Sequence, residues 1–598
     1  MKVVVQELPQ RSLSRYYIGF LIKRSKKIIF EIVLIILFPI IILVINTKVF
    51  FITKNIVYKK NIAASKYYFS YIYKTLKLNR ILIDLYSKVP LVQSFYKFPK
   101  AYSDILIKSS AIAYEKAELE QFVGLITNNI VTDRDFNLDE LVSRAALEVN
   151  NIIEDEGFLF SETRSIRKGF LLSKIYPESY FDISPDVTLL KKYKYILSNL
   201  SSILGENEER KYAAVFQNTN IIRPTGGKIA SLAILTFNKG RLVDSQLLFP
   251  EEIDKKILGE IVPPYPLNKD NNKWSFYDAN WSSDIVASAQ QIEWFVNHSF
   301  EIKLDGVVFI NSNISSNDDL MQRLTRLSEH GPERSTQIIN SLLQDNDKNI
   351  LFYFNREDEM NLAQSVGLSN IISTVNCEHC LNDYLGMVES EIDSIGYNNA
   401  IEREARLEIS IQGSIIKKNL KLTFKRKFDN DDYYRIYLRL LAPRGFSFSP
   451  VTIDDKKYFA EQGGQGGFNQ MGLIIDFDTK FKQKTLEVSL EGAQPLSKVF
   501  NNYSFRWVKQ PGVSNFYSSV GIDFTSTEIH QITSNESLTQ STAGSYDGVR
   551  ERTCFASNEL NPIATSSFNT NSLDEHKGRC YNTNLLPFNN DIEVNLYY

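Results

Sequence analysis

The segment Gln217-Asn218-Thr219-Asn220-Ile221-Ile222-Arg223-Pro224-Thr225-Gly226-Gly227 sets a guanidinium three residues before a pair of glycines. An arginine can fork two N–H bonds onto a carboxylate or phosphate. Adjacent glycines let backbone N–H groups approach an anion closely. Asn218 and Thr225 add polar side chains beside them. The same residues also suit a tight turn, with glycines at positive φ and the arginine paired to a neighbouring acid. A second cluster runs from Trp274 to Asp284 and holds Trp281, Asp278, Asn280 and Asp284. Aromatics among carboxylates suit carbohydrate or metal contact. The alternative is a loop anchored by buried tryptophans, with Ser282 or Ser283 capping the following helix. Asp305 precedes Gly306 at the start of an apolar strand, where an acid serves either a site or a turn.

In the chemical reading, Arg223 clamps a phosphate and Gly226 and Gly227 supply backbone donors. Asp278, Asp284 or Asp305 then holds a divalent ion or acts as a base. No cofactor is implied: the sequence has no G-x-S-x-G, no phosphate-binding P-loop and no H-E-x-x-H. Four cysteines occur. Cys377 and Cys380 have redox- or metal-like spacing, but one such pair leaves a tetrahedral zinc site incomplete, and a local disulfide is the alternative. A Cys554–Cys580 bridge would close a loop of about 26 residues in a polar tail.

Several elements must position these residues. Residues 28–46 are predominantly apolar and only Glu31 is charged, and a helix of roughly 20 such residues crosses a bilayer. Pro39 within the run is tolerated in a membrane helix. No small-residue cleavage site follows, so a retained signal anchor is expected. Lys2, Arg11, Arg15, Lys23, Arg24, Lys26 and Lys27 precede the run, against Glu7 alone. Lys48, Lys54, Lys59 and Lys60 follow it. The denser inner flank places the N-terminus, residues 1–27, in the cytoplasm and the remainder outside the cytoplasmic membrane.

Amphipathic periodicity predicts a helical membrane-proximal region over 56–204, with helices over 62–86, 100–127, 138–156 and 191–204. Asn137 is the expected N-cap of the third. Strands alternating with helices predict an α/β domain over 205–400, with helices over 283–298, 318–326 and 334–343. Period-two alternation predicts an antiparallel β-sandwich over 401–530, and the Ser-, Thr- and Asn-rich tail 531–598 reads as irregular. The whole is an α+β multidomain chain. Its net charge of −2 gives no support for a nucleic-acid partner, and 43% hydrophobic residues mark a globular chain.

Taken in order, the Arg223 segment, Val262-Pro263-Pro264-Tyr265-Pro266-Leu267, Asp278–Asp284, Asp305–Val308, Asp383-Tyr384-Leu385, Tyr437–Gly445 and Lys509-Gln510-Pro511-Gly512 resemble bacterial DUF4012 proteins over roughly residues 190–525. The resemblance implies a single-pass envelope protein whose reaction is not established. Its α/β core is similar to LytR-CpsA-Psr proteins, which transfer glycopolymers from polyprenyl pyrophosphate. The chain departs from the family at Ile221, where an acid is usual, and at Lys228, where an aromatic is usual. Two functions are therefore expected: binding or transfer of a lipid-linked cell-wall or surface polysaccharide, or a non-enzymatic surface scaffold or adhesion role.

Overall fold

A computed structural model describes residues 10–58, 60–90, 92–130, 136–167, 187–269, 273–311, 348–370, 380–393, 395–396, 398–412, 415–427, 433–465, 468–493 and 502–524, with short segments from 531 to 597. The expected helices over 318–326 and 334–343 lie outside these residues, as do Cys377 and Cys554. The chain mixes helices with several sheets and divides into two compact units, the boundary falling after Ser201.

In the first unit, helix α1 (Gln10–Ile52) runs into a π-helical turn at Thr53–Val57. Val33–Val57, 25 residues, is long and apolar enough to cross a membrane: its most apolar 18-residue window has a mean hydropathy of 2.6 and is only 22% buried within the chain. Helices α2 (Ile62–Ser87), α3 (Gln93–Ile130), α4 (Leu138–Arg167) and α5 (Val187–Ile203) follow the expected pattern. Asn137 caps α4, its Oδ1 accepting the Glu140 N–H at 3.0 Å.

The α2–α3 hairpin packs back along the apolar stretch. Leu43 and Phe50 of α1 share a core with Phe69, Ile72 and Leu76 of α2 and Tyr96 of α3. Pro39 removes a backbone donor from α1. Side chains meet the backbone beside that break: Asn79 Nδ2 donates to the Pro39 carbonyl at 2.9 Å, and Tyr96 Oη donates to the Ile36 carbonyl.

One half-buried acid, Glu115, is expected to make this unit pH-sensitive. Burial pushes the Glu115 carboxyl up to about 7, and nearby Asp155 and Glu148 add to the shift. Its Oε2 is buried without a partner among the described residues. A folded pKa above the unfolded value means that the folded unit holds the proton more tightly. That contribution is complete below the ordinary carboxylate pKa and is lost as pH rises through about 7. Helical melts of the full chain in detergent should therefore fall between about pH 5 and pH 8, and Glu115→Gln should flatten the fall. An unchanged pH dependence in the variant would remove Glu115 as its source.

The second unit begins with a five-stranded sheet in the order β3-β2-β1-β4-β5. Its strands are β1 (Arg210–Arg223), β2 (Gly226–Asn238), β3 (Arg241–Leu248), β4 (Gly306–Ile310) and β5 (Ile350–Phe354). The pair β1/β4 is parallel, from Tyr212↔Gly306 to Phe216↔Ile310, and the other pairs are antiparallel. The crossover from β3 to β4 carries α6 (Pro250–Lys256) and α7 (Ile285–Phe300), and α8 (Glu357–Ser365) follows β5. Helix α7 buries Ile285, Ala289, Ile292, Phe295 and Val296, the one-sided spacing of an amphipathic helix, in a core with Val215, Leu232, Val307 and Leu351.

Two larger sheets follow. An eight-stranded sheet contains β6 (Cys380–Glu391), β9 (Tyr434–Pro443), β10 (Phe468–Phe477), β12 (Asn502–Val508) and β14 (Ile592–Tyr597). An eleven-stranded sheet contains β7 (Ile401–Gln412), β8 (Ile415–Arg426), β11 (Gln483–Ala493) and β13 (Phe516–Phe524). One core draws on both, with Ala405, Leu407, Ile409 and Ile411 of β7 facing Ile436, Leu438 and Leu440 of β9.

Three expectations are corrected here. The sheets are mixed, not antiparallel: β12 runs parallel to β6 and β13 parallel to β7, because the chain returns to these edges from elsewhere and not through a hairpin. β6 lies before residue 401 yet pairs into the eight-stranded sheet. The described parts of the tail are not irregular, since Ile592 and Val594 alternate into the core and β14 pairs with β12.

Candidate functional site

The polar run 217–223 is strand, not loop. It extends β1 through irregularities between Phe216 and Gln217 and between Asn218 and Ile222, and Arg223 pairs with Gly226 across a two-residue Pro224–Thr225 turn. Extra residues opposite a straighter partner absorb the polar side chains without ending the ladder.

At the tip of this hairpin Arg223 is fully buried. Its Nε and Nη2 donate to Asp278 Oδ1 at 3.0 and 2.6 Å. Nη1 donates to the carbonyls of Ile222, at 3.0 Å, and Glu391, at 2.5 Å. The guanidinium lies 5.0 Å from the centre of the Trp281 ring. Asn280 Nδ2 reaches Thr225 Oγ1 at 2.9 Å and the Gly227 carbonyl at 2.8 Å, while Gln217 Nε2 also donates to Thr225 Oγ1, at 2.6 Å. The glycines answer to backbone approach. At Gly226, with φ +136°, a Cβ would lie 1.9 Å from Asn311 Oδ1. At Gly227 it would lie 2.3 Å from the Asn218 carbonyl.

Of the candidate residues, Arg223, Thr225, Gly226, Gly227, Asp278 and Asn280 therefore meet in one buried polar network. Asn218 is on the same hairpin, its Oδ1 accepting the Asn220 N–H at 3.0 Å. Asp284 caps α7, accepting the Val286 N–H at 3.1 Å, in place of the expected Ser282 or Ser283. Burial raises its carboxyl pKa. Asp305 is at the other end of β1. It pairs with Arg210 at 2.8 Å and accepts the Lys211 N–H at 2.8 Å. Strands rise about 3.3 Å per residue, so the length of β1 separates Asp305 from Arg223 by roughly 40 Å. Among the described residues no three His, Cys, Asp or Glu side chains gather as a metal-holding group.

The network continues into residues not singled out as candidates. Gln510 Nε2 donates to the carbonyls of Arg223 and Glu389 at 3.0 and 2.8 Å. Asn398 Nδ2 donates to those of Thr219 and Gly512 at 2.9 and 2.7 Å. Arg439 Nη1 donates to the Trp281 carbonyl at 2.9 Å. Arg439 and Gln510 lie in the Tyr437–Gly445 and Lys509–Gly512 stretches, so their motifs were the available signal. Glu389, Asn398 and Arg403 carried none.

Beside the hairpin opens a crevice of about 400 Å³ lined by Thr219, Asn311, Asn349, Lys509, Ser514 and Asn515, with Phe516 and Tyr517. Phe216↔Ile310 is the last parallel pair, so Asn311 lies just beyond the carboxyl end of β4, and Thr219 lies within β1, three residues past that pairing. The sheet continues to β2 on one side of this pair and to β5 on the other. Asn311 Oδ1 is buried with no partner among the described residues.

The DUF4012 family, described as a protein of unknown function, matches residues 207–317. No curated relative matches the sequence. Solved structures similar to part of the chain include a proposed nutrient-binding protein of Legionella pneumophila, at 14% identity and TM-score 0.21, covering 33% of this chain and 67% of that one. Yeast LTA4 hydrolase matches at 9% identity and TM-score 0.18, covering 33% of this chain and 29% of the hydrolase. An M1 zinc metallopeptidase from Deinococcus radiodurans matches at 10% identity and TM-score 0.18, covering 33% and 42% respectively. The chain thus spans under half the length of either of the last two, and likeness at these scores carries no argument about activity.

Proposed function

We propose that this chain, with its DUF4012 region at residues 207–317, is a membrane-anchored protein of the bacterial envelope that binds a polar glycan and does not transfer one. The observation that carries the reading is the crevice beside the β1–β2 hairpin, whose amide and hydroxyl side chains suit sugar hydroxyls. Binding is favoured over transfer because Arg223 and Asp278 are engaged with each other and Arg223 is closed off from solvent. The apolar stretch Val33–Val57 supports the anchor.

Wall glycan fragments, with and without phosphate, titrated into the full chain in detergent test the reading. Asn311→Leu should weaken binding about tenfold, the value of one good hydrogen bond, measured at a temperature where melting shows the variant folded. Equal affinity in the variant, or no affinity for any fragment, would sink it.

A further inference from the structure

The first unit holds a cavity of about 190 Å³ bounded by α1, α2, α3 and α4. Its walls are mostly apolar, Phe50, Leu106 and Ile112 among them, and its charged groups are Lys54, Lys116 and Glu156. An apolar cavity of roughly 150 Å³ already takes up a benzene-sized guest, so this one has room for a stretch of hydrocarbon chain.

Its position is informative. Phe50 and Lys54 belong to the last turns of the apolar stretch Val33–Val57. Roughly 20 residues suffice for the hydrocarbon core, so the end of a 25-residue stretch comes level with lipid headgroups. Two features suit a headgroup rather than hydrocarbon alone. Lys54 is exposed and makes no ion pair among the described residues. The Glu156 side chain is 1% exposed, with Oε1 held by Lys116 Nζ at 2.6 Å. Its Oε2 is buried without a partner among the described residues, an acceptor awaiting a donor.

We infer that this cavity takes the apolar chain of a hydroxyl-bearing anionic membrane lipid. Its phosphate pairs with Lys54, and a headgroup hydroxyl donates to Glu156 Oε2. The inference rests on the membrane anchor but not on the glycan crevice.

The test is photolabelling of the full chain, in its own membranes, by a diazirine-bearing phosphatidylglycerol, with phosphatidylglycerol or phosphatidylcholine as competitor. Phosphatidylglycerol alone should compete. Ala113→Trp, which fills the cavity, should cut labelling more than tenfold. Lys54→Glu should cut it about fivefold, since one lysine near an anionic surface contributes roughly 1 kcal/mol. Lys54 is exposed, so that variant keeps the test decisive if Ala113→Trp does not fold. Equal labelling in wild type and Lys54→Glu, or equal competition by both lipids, overturns the assignment. An alkaline carbonate wash separates the two premises. A chain released by the wash has no anchor and the inference falls with it; a chain that stays but is not labelled refutes the lipid site alone.

Discussion

Arg223→Ala should lower the unfolding free energy of the second unit by about 3–5 kcal/mol, the usual result of removing one partner from a buried ion pair. The guanidinium is inaccessible, so truncation leaves Asp278, whose side chain is 14% exposed, without its counter-ion, and the Glu391 carbonyl without its donor. Against a total stability of about 5–15 kcal/mol, that loss is visible in any denaturant titration. Arg223→Lys should recover little, because one ammonium cannot reach Asp278 and the Glu391 carbonyl from opposite edges of a planar fork. Asp278→Asn should cost less, since it keeps an acceptor and loses only the charge. If Arg223→Ala unfolds like the wild type and loses ligand binding instead, the guanidinium contacts ligand and the structural role assigned to it is wrong.

That outcome is not decided by residue types. The Arg223 segment supports an anion clamp and a buried tie equally well until the position of Asp278 is known, and that position depends on a contact 55 residues away. Elements governed by local periodicity were legible. α2, α3, α4 and α7, the strands of β7 to β10, and the Asn137 cap all follow from spacing and side-chain chemistry. Misreadings came where pairing partners are distant. β12 and β13 have ordinary strand patterns, but nothing local makes them lie parallel to β6 and β7. The polar end of β1 resembles a loop because Asn218 and Asn220 have poor strand propensity, whereas pairing with β2 and the Asn398 bond to the Thr219 carbonyl override it. The crevice was invisible for the same reason: Thr219, Asn311 and Ser514 come from three separated segments.

The second large effect is expected at Arg403, which couples the sheets to that crevice. Arg403 and Glu389 are both fully buried, with Arg403 Nε at 2.8 and 2.9 Å from the two carboxylate oxygens. Its Nη1 donates to the carbonyls of Asn398, Ile401 and Ser514 at 3.2, 3.0 and 3.2 Å. Arg403→Met leaves an uncompensated carboxylate in the interior and should cost about 3–5 kcal/mol in urea titration. Pairing it with Glu389→Leu removes the stranded charge, so the double variant should be more stable than Arg403→Met alone, as apolar replacements of buried pairs often are. Recovery stays incomplete because three carbonyls still lack their donor. Strictly additive losses in this cycle would mean that the two residues do not act as a pair. The cycle also separates stability from function. Ser514 lines the crevice, and Asn398 ties Thr219 to Gly512 at its edge. The double variant, though more stable than Arg403→Met, should therefore still bind glycan more weakly than the wild type, since its crevice wall has lost the arginine that held it.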